Sequence, residues 1–130
     1  MVSMSSKLKI LVVEDNDFVR MQIVKFLNEA EYETVESTDG DDAMNKINDN
    51  IDIAIVDLRM EPKDGFEFIR SIRGMDMDTP VILVTGDQDP EILSDASKLG
   101  IAAVLMKPVQ RDRLVKTVDR TMQMLARAAQ

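Results

Sequence analysis

Hydrophobic residues fall into two patterns along the chain, short continuous runs and longer stretches with helical spacing. Four continuous runs occupy residues 10–13, 53–56, 81–84 and 102–106. Runs of this length are typical of strands covered on both faces. A fifth segment, 33–37, alternates polar and apolar residues, which is typical of an edge strand. The pattern therefore predicts five strands, with the second in chain order at an edge of the sheet.

Between and after these strands, apolar residues recur every three or four positions, which predicts an amphipathic helix after each strand. In the first helix Val19, Ile23 and Leu27 are predicted to face the core, and Arg20 to face solvent. The third helix is predicted over 65–73, with Gly74 as its stop. The fourth begins at Pro90, because proline is favoured at the first helical position.

A strand followed by a helix, repeated five times, predicts an α/β fold with a doubly wound parallel sheet. An edge position for the second strand fits the flavodoxin-like order 2-1-3-4-5. We expect a single domain over 7–130, preceded by a disordered N-terminus at 1–6.

Composition narrows the function. The 130 residues carry a net charge of −8, which argues against direct binding to nucleic acid. No histidine is present, so a Ser-His-Asp triad is excluded. No cysteine is present, and no apolar run approaches the ~18 residues of a membrane span. We expect a cytoplasmic protein without membrane association.

Polar residues follow four of the predicted strands, and the strand order brings them to one edge of the sheet: Glu14, Asp15, Asp57, Thr85 and Lys107. Three carboxylates this close repel one another by roughly 3 kcal/mol per pair at ~5 Å. Such a cluster takes up protons or holds a cation, and oxygen ligands favour Mg²⁺. A carboxylate nucleophile, a cation, a lysine and a hydroxyl are the groups that phosphoryl transfer requires.

Each of these residues also has a simpler interpretation. The acids at 14 and 15 could interact with the start of a helix, since acidic residues are favoured there. Thr85 could be a turn residue, and Lys107 a solvated loop lysine. Their joint occurrence at the ends of strands in one sheet favours the functional interpretation.

Four motifs occur in order, VVEDND at 12–17, VDLRM at 56–60, VTG at 84–86 and MKP at 106–108. In sequence and spacing they resemble the receiver domains of bacterial two-component response regulators, over about residues 7–127. The resemblance implies a phosphorylation-activated signalling switch in a phosphorelay. It also implies a domain that assists its own phosphorylation and dephosphorylation without being a turnover enzyme.

By this resemblance Asp57 accepts a phosphoryl group from a sensor histidine kinase or a phosphotransfer protein. Asp15, Asp57 and the backbone carbonyl of Arg59 would bind Mg²⁺ directly, with Glu14 acting largely through water. The phosphoryl oxygens would be bound by Thr85 and Lys107.

The resemblance further implies a cis peptide bond between Lys107 and Pro108. The signal would pass to a downstream protein target through the fourth helix, fifth strand and fifth helix, and a phosphorylation-dependent homodimer is one route for it.

Two positions depart from the family pattern. Val104 replaces the aromatic residue usual three positions before the lysine, so a ring rotation cannot report phosphorylation here. The proline after the phosphorylated strand is displaced to Pro62 by Glu61, which alters that loop. The intact acidic cluster weighs against a phosphate-independent interaction module on the same fold, but Val104 keeps that alternative open.

Three other protein classes fit less well. A haloacid dehalogenase-type phosphatase requires a second aspartate two residues after its nucleophile, where this chain has Arg59. A flavodoxin would have a phosphate-binding loop after the first strand, where the acids at 14, 15 and 17 would repel the flavin phosphate. No GxxxxGK[ST] loop is present, which disfavours nucleotide hydrolysis.

Overall fold

The computed structural model describes residues 8–60, 64–86 and 90–128. The predicted disordered segment at 1–6 lies outside these residues. The strands are β1 Lys9–Val13, β2 Glu33–Ser37, β3 Ile53–Asp57, β4 Val81–Thr85 and β5 Ala103–Met106. The helices are α1 Asp17–Glu29, α2 Gly40–Lys46, α3 Gly65–Gly74, α4 Pro90–Lys98 and α5 Arg111–Ala128.

All strand pairs are parallel, and the sheet order is β2-β1-β3-β4-β5, as predicted. The central strand β3 pairs with β1 through Val13 and Val56, and with β4 through Asp57 and Val84. The carboxyl ends of β1, β3 and β4 therefore lie side by side at one edge of the sheet.

Successive strand residues pack on opposite faces of the sheet, which produces two separate cores. On one face Leu11, Val56 and Leu83 pack in a cluster with the α3 residues Phe68 and Ile72. The other face includes Val12, Ile55 and Val84 from the strands. Ile23 of α1 and Leu114 of α5 belong to this second cluster. Helices on both faces explain why the central strands are apolar at every position.

Local side-chain chemistry sets the helix boundaries. Asn16 caps α1, because its Oδ1 accepts a hydrogen bond from the Val19 backbone N–H at 3.0 Å. Helix α3 runs one residue beyond the prediction and includes Gly74, and the left-handed backbone after it occurs at Asp76. Among the described helices, none combines the length and apolar character needed to cross a bilayer.

Candidate phosphoacceptor and cation site

Four strand ends bring the predicted site residues to the same edge of the sheet. Glu14 directly follows β1, Asp57 ends β3, Thr85 ends β4 and Lys107 directly follows β5. Three of these side chains are buried: Glu14 is 1 % exposed, Asp57 3 % and Thr85 1 %. Polar groups held this far from water need specific partners.

Lys107 supplies a positive charge to both buried carboxylates. Its Nζ lies 3.1 Å from Asp57 Oδ1 and 3.1 Å from Glu14 Oε1. Although the ammonium is close, Glu14 Oε1 receives no hydrogen bond of acceptable geometry from the described part of the chain. The ammonium therefore offsets the charge of Glu14 without forming a well-aligned hydrogen bond to Oε1.

The electrostatics of the cluster follow from burial and mutual repulsion. Burial raises the pKa of Glu14 from its ordinary 4.5 to about 7. The hydrogen bond from the Asn16 amide lowers this pKa, whereas the charge of Asp57 raises it further. Burial alone would lower the pKa of Lys107, but its close contacts with the Asp57 and Glu14 carboxylates raise it overall. Lys107 is therefore fully charged at neutral pH, and Glu14 is partly protonated.

Asp15 completes the acidic cluster. Glu14, Asp15 and Asp57 each offer a carboxylate oxygen, and these oxygens all lie within 4.8 Å of one another. Three carboxylate oxygens this close together are able to hold one divalent cation, directly or through its water. The oxygen donor set suits a hard divalent cation.

A small cavity of about 230 Å³ opens beside the cluster, lined by Asp15, Arg59, Met60 and Asp64. The Arg59 backbone N–H lies 3.4 Å from Asp57 Oδ1, which is a long hydrogen bond. The loop after β3 therefore approaches Asp57 and borders the space that a cation and its water would occupy.

Thr85 and Lys107 are joined through the backbone. Thr85 is aligned with Met106 in the sheet, and its carbonyl oxygen accepts a hydrogen bond from the Lys107 N–H at 2.9 Å. The peptide bond between Lys107 and Pro108 is cis, as expected. The strand ends carrying the hydroxyl and the ammonium are thus held next to each other.

Of the two positions that depart from the family pattern, the structure describes one. Val104 is half-buried and packs against the core on the face of α3 and α4. The displaced proline at Pro62, together with Glu61, lies outside the described residues.

Arg20 also belongs to this region, which was not expected, because the helical spacing predicted that its side chain faces solvent. Its side chain is only 11 % exposed. It donates to Asp17 Oδ1 at 2.6 Å, to the Glu14 carbonyl oxygen at 2.8 Å and to Glu36 Oε1 at 3.1 Å. The Asp17–Arg20 spacing of three residues, with Glu36 near the end of the adjacent strand, could have indicated this.

Gly65 determines how closely α3 approaches the strand that carries Asp57. Its N–H donates to the Leu58 carbonyl oxygen at 3.0 Å. A Cβ at this position would lie 2.6 Å from the Asp57 carbonyl oxygen, a distance that real Cβ atoms essentially never show, and 3.0 Å from Leu58 Cα, which is also unusually tight. Because both neighbours are backbone atoms, any larger residue must displace the end of β3.

We therefore expect Gly65→Ala to lower the free energy of unfolding by about 1–3 kcal/mol, as overpacked sites do. Gly74→Ala in the same helix is the matched control, because a Cβ there meets nothing within 4 Å. That control is expected to be neutral or to stabilise by about 0.4–1 kcal/mol. Urea denaturation of both variants measures the difference. Equal stabilities would contradict the close approach at Gly65.

Comparison with known proteins identifies related sequences over most of the chain. The sequence profile described as the response regulator receiver domain matches residues 10–119. The chemotaxis protein CheY of Listeria monocytogenes is 30 % identical over 115 residues, covering 87 % of this chain and 97 % of that protein. The CAI-1 autoinducer sensor kinase/phosphatase CqsS of Vibrio cholerae is 32 % identical over 114 residues. That match covers 85 % of this chain but only 17 % of the larger protein.

A solved structure of a similar protein has the same fold. The crystal structure of the Vibrio cholerae chemotaxis protein CheY4 matches with a TM-score of 0.81 and 29 % identity, over 88 % of this chain and 98 % of that one.

Proposed function

Because the chain belongs to the response regulator receiver domain family, we propose that it is a phosphorylation-activated signalling switch with Asp57 as the phosphoacceptor. The observation that carries this proposal is the position of Asp57. Its carboxylate is 3 % exposed at the end of the central strand, 3.1 Å from Lys107 Nζ, with two further acids beside it. No simple structural role requires this combination of charges.

In the proposed reaction, the donor is a phosphohistidine on a sensor histidine kinase or a phosphotransfer protein. A carboxylate oxygen of Asp57 forms a bond to phosphorus while the bond from phosphorus to the donor's imidazole nitrogen breaks. The bonding electrons leave with the imidazole. Lys107 neutralises charge on the phosphoryl oxygens, and the Thr85 hydroxyl donates a hydrogen bond to one of them.

The acidic cluster fits the Mg²⁺ that this chemistry requires. Asp15, Asp57 and the backbone carbonyl of Arg59 would hold the ion, and Glu14 would act through water. When bound there, the cation would offset the repulsion between the attacking carboxylate and the anionic phosphoryl group. Without it, bringing a phosphoryl group beside three acids would be costly.

Output passes to a downstream protein target through the face formed by α4, β5 and α5. A groove of about 590 Å³ lies on β5 and α5, lined in part by Val104, Lys116 and Met124. Since Val104 has no ring to rotate, the conformational change caused by phosphorylation must reach this face by backbone shifts after Thr85. A phosphorylation-dependent homodimer through the same face is one form of output.

We place this activity in the cytoplasm, without direct nucleic-acid binding and without turnover of a substrate.

The test is to incubate the protein with Mg²⁺ and acetyl phosphate or phosphoramidate and then to measure its intact mass. We expect a gain of one phosphoryl group, abolished by EDTA. Protein that stays unmodified would instead favour the phosphate-independent interaction module. Multiple turnover on p-nitrophenyl phosphate would favour the phosphatase, and we expect none.

A further inference from the structure

Arg20 of α1 forms three contacts around the loop that links β1 to α1. Two of its acceptors are carboxylates with largely exposed side chains, Asp17 at 80 % and Glu36 at 50 %. Exposed ion pairs contribute little stability. The third acceptor is the backbone carbonyl oxygen of Glu14, 2.8 Å from Nη1. The two carboxylates orient the guanidinium through Nε and Nη2, and the carbonyl bound by Nη1 is the group that it restrains.

The restrained carbonyl belongs to the peptide that precedes Asp15. The peptide that follows Asp15 is held separately, because the Asn16 N–H donates to Glu14 Oε2 at 3.1 Å. The N–H of Glu14 is in turn held by the Ser37 carbonyl oxygen at 3.0 Å. Asp15 itself is exposed. Its carboxylate is thus positioned by the two peptides that flank it.

These two restraints are unequal. The hydrogen bond donated by the Asn16 N–H depends on the Glu14 carboxylate, for which a cation or its water would compete. The hydrogen bond to the Glu14 carbonyl depends on Arg20, whose guanidinium is always charged and has a fixed fork of donors. With a cation bound, Arg20 becomes the more dependable restraint on the Asp15 backbone.

We propose, on the premise that the acidic cluster binds Mg²⁺ for phosphorylation of Asp57, that Arg20 is a positioning residue that fixes the Asp15 carboxylate for the cation. It acts through the Glu14 carbonyl and does not touch the cation. If Arg20 acted only through its charge, it would weaken cation binding instead of supporting it, because a nearby positive charge repels a cation. Substitution by lysine separates the two roles, since lysine keeps the charge but loses the fork.

The experiment is a titration of the protein with Mg²⁺ alone, followed by backbone amide chemical shifts, for wild type and Arg20→Lys. We expect the variant to bind Mg²⁺ about tenfold more weakly, the lower end of the effect of outer contacts on metal affinity. Arg73→Lys is the matched control. Arg73 also donates to backbone carbonyls, those of Met77, Thr79 and Leu99, in the loop before β4 and just after α4. Its substitution should leave Mg²⁺ affinity within twofold of wild type.

A second measurement does not depend on the cation. In Mg²⁺-free buffer, Arg20→Lys should accelerate hydrogen exchange of the Asn16 amide, the hydrogen-bonded amide of the same loop, at least tenfold, and Arg73→Lys should not. If Arg20→Lys does not fold, Glu36→Gln replaces it, because it removes one anchor of the guanidinium. That variant should weaken Mg²⁺ binding by a smaller factor, in the same direction.

The outcomes separate the two proposals. Wild-type affinity and wild-type exchange in Arg20→Lys, in a protein that binds Mg²⁺ and is phosphorylated, would overturn the role of Arg20 alone. Wild-type protein that neither binds Mg²⁺ nor gains a phosphoryl group would overturn this role together with the proposed function. An equal loss of affinity in Arg73→Lys would show a general effect of stability and would also overturn it.

Discussion

Asp57→Asn protein is expected to gain no phosphoryl group under conditions that fully modify the wild type. The asparagine amide has nearly the same size as the carboxylate but is not a nucleophile, so the bond to phosphorus cannot form. Lys107 retains Glu14 as its partner at 3.1 Å, so we expect the fold to persist. Intact mass measures the modification, and circular dichroism checks the fold.

The matched control for this variant is Asp52→Asn, just before the opposite end of the same strand. Asp52 is half-buried and accepts a hydrogen bond from the Lys9 N–H at 2.8 Å, so it is also an ordered carboxylate. It lies far from the acidic cluster along the strand, and its substitution should leave phosphorylation unchanged. A full mass gain in Asp57→Asn would contradict Asp57 as the acceptor and direct attention to Asp15.

Stability is expected to depend on pH through Glu14. Its pKa is raised from 4.5 to about 7 in the folded protein, so the folded state binds this proton more tightly than the unfolded state does. The stabilisation is therefore complete below pH 4.5 and is lost as the pH rises to about 7. A shift of this size corresponds to a loss on the order of 3 kcal/mol across that window.

Glu14→Gln removes this titration. In EDTA, its free energy of unfolding minus that of wild type should increase by about 3 kcal/mol between pH 4.5 and pH 8. Urea denaturation at several pH values gives this difference. A difference that does not change with pH would show that Glu14 titrates normally.

Asp42→Asn is the control for this measurement. Hydrogen bonds from Lys46 and Ser37 lower the pKa of Asp42 below its ordinary 3.8, so its stabilisation is present above that value and is lost only as the pH falls further. Its difference from wild type should stay constant between pH 4.5 and pH 8.

Much of the fold was predictable from the sequence because burial on both faces leaves a simple pattern. The apolar run before Asp57 predicted the central strand, and alternation around Val35 predicted the edge strand. Parallel order then brought Asp57 and Lys107 to one edge, and the structure places them in contact. These predictions needed only periodicity and topology.

The role of Arg20 could not be predicted in the same way. Helical periodicity places residue 20 on the polar side of α1, where an arginine normally faces water. The end of β2 covers that side, and Glu36 anchors the guanidinium there. The close approach at Gly65 likewise depends on the exact distance between α3 and β3, which no pattern of residue types specifies.

The pairing of β1 with β3 has a consequence for biosynthesis. Glu14 and Asp57 are separated by the whole of α1, β2 and α2 in the chain, and Lys107 is the last residue of the site to be made. A partly synthesised chain therefore lacks the ammonium that the proposed reaction uses and cannot be phosphorylated efficiently by a phosphate donor. The protein is expected to become responsive only once its fifth strand has joined the sheet, so incomplete copies would stay silent in the cell.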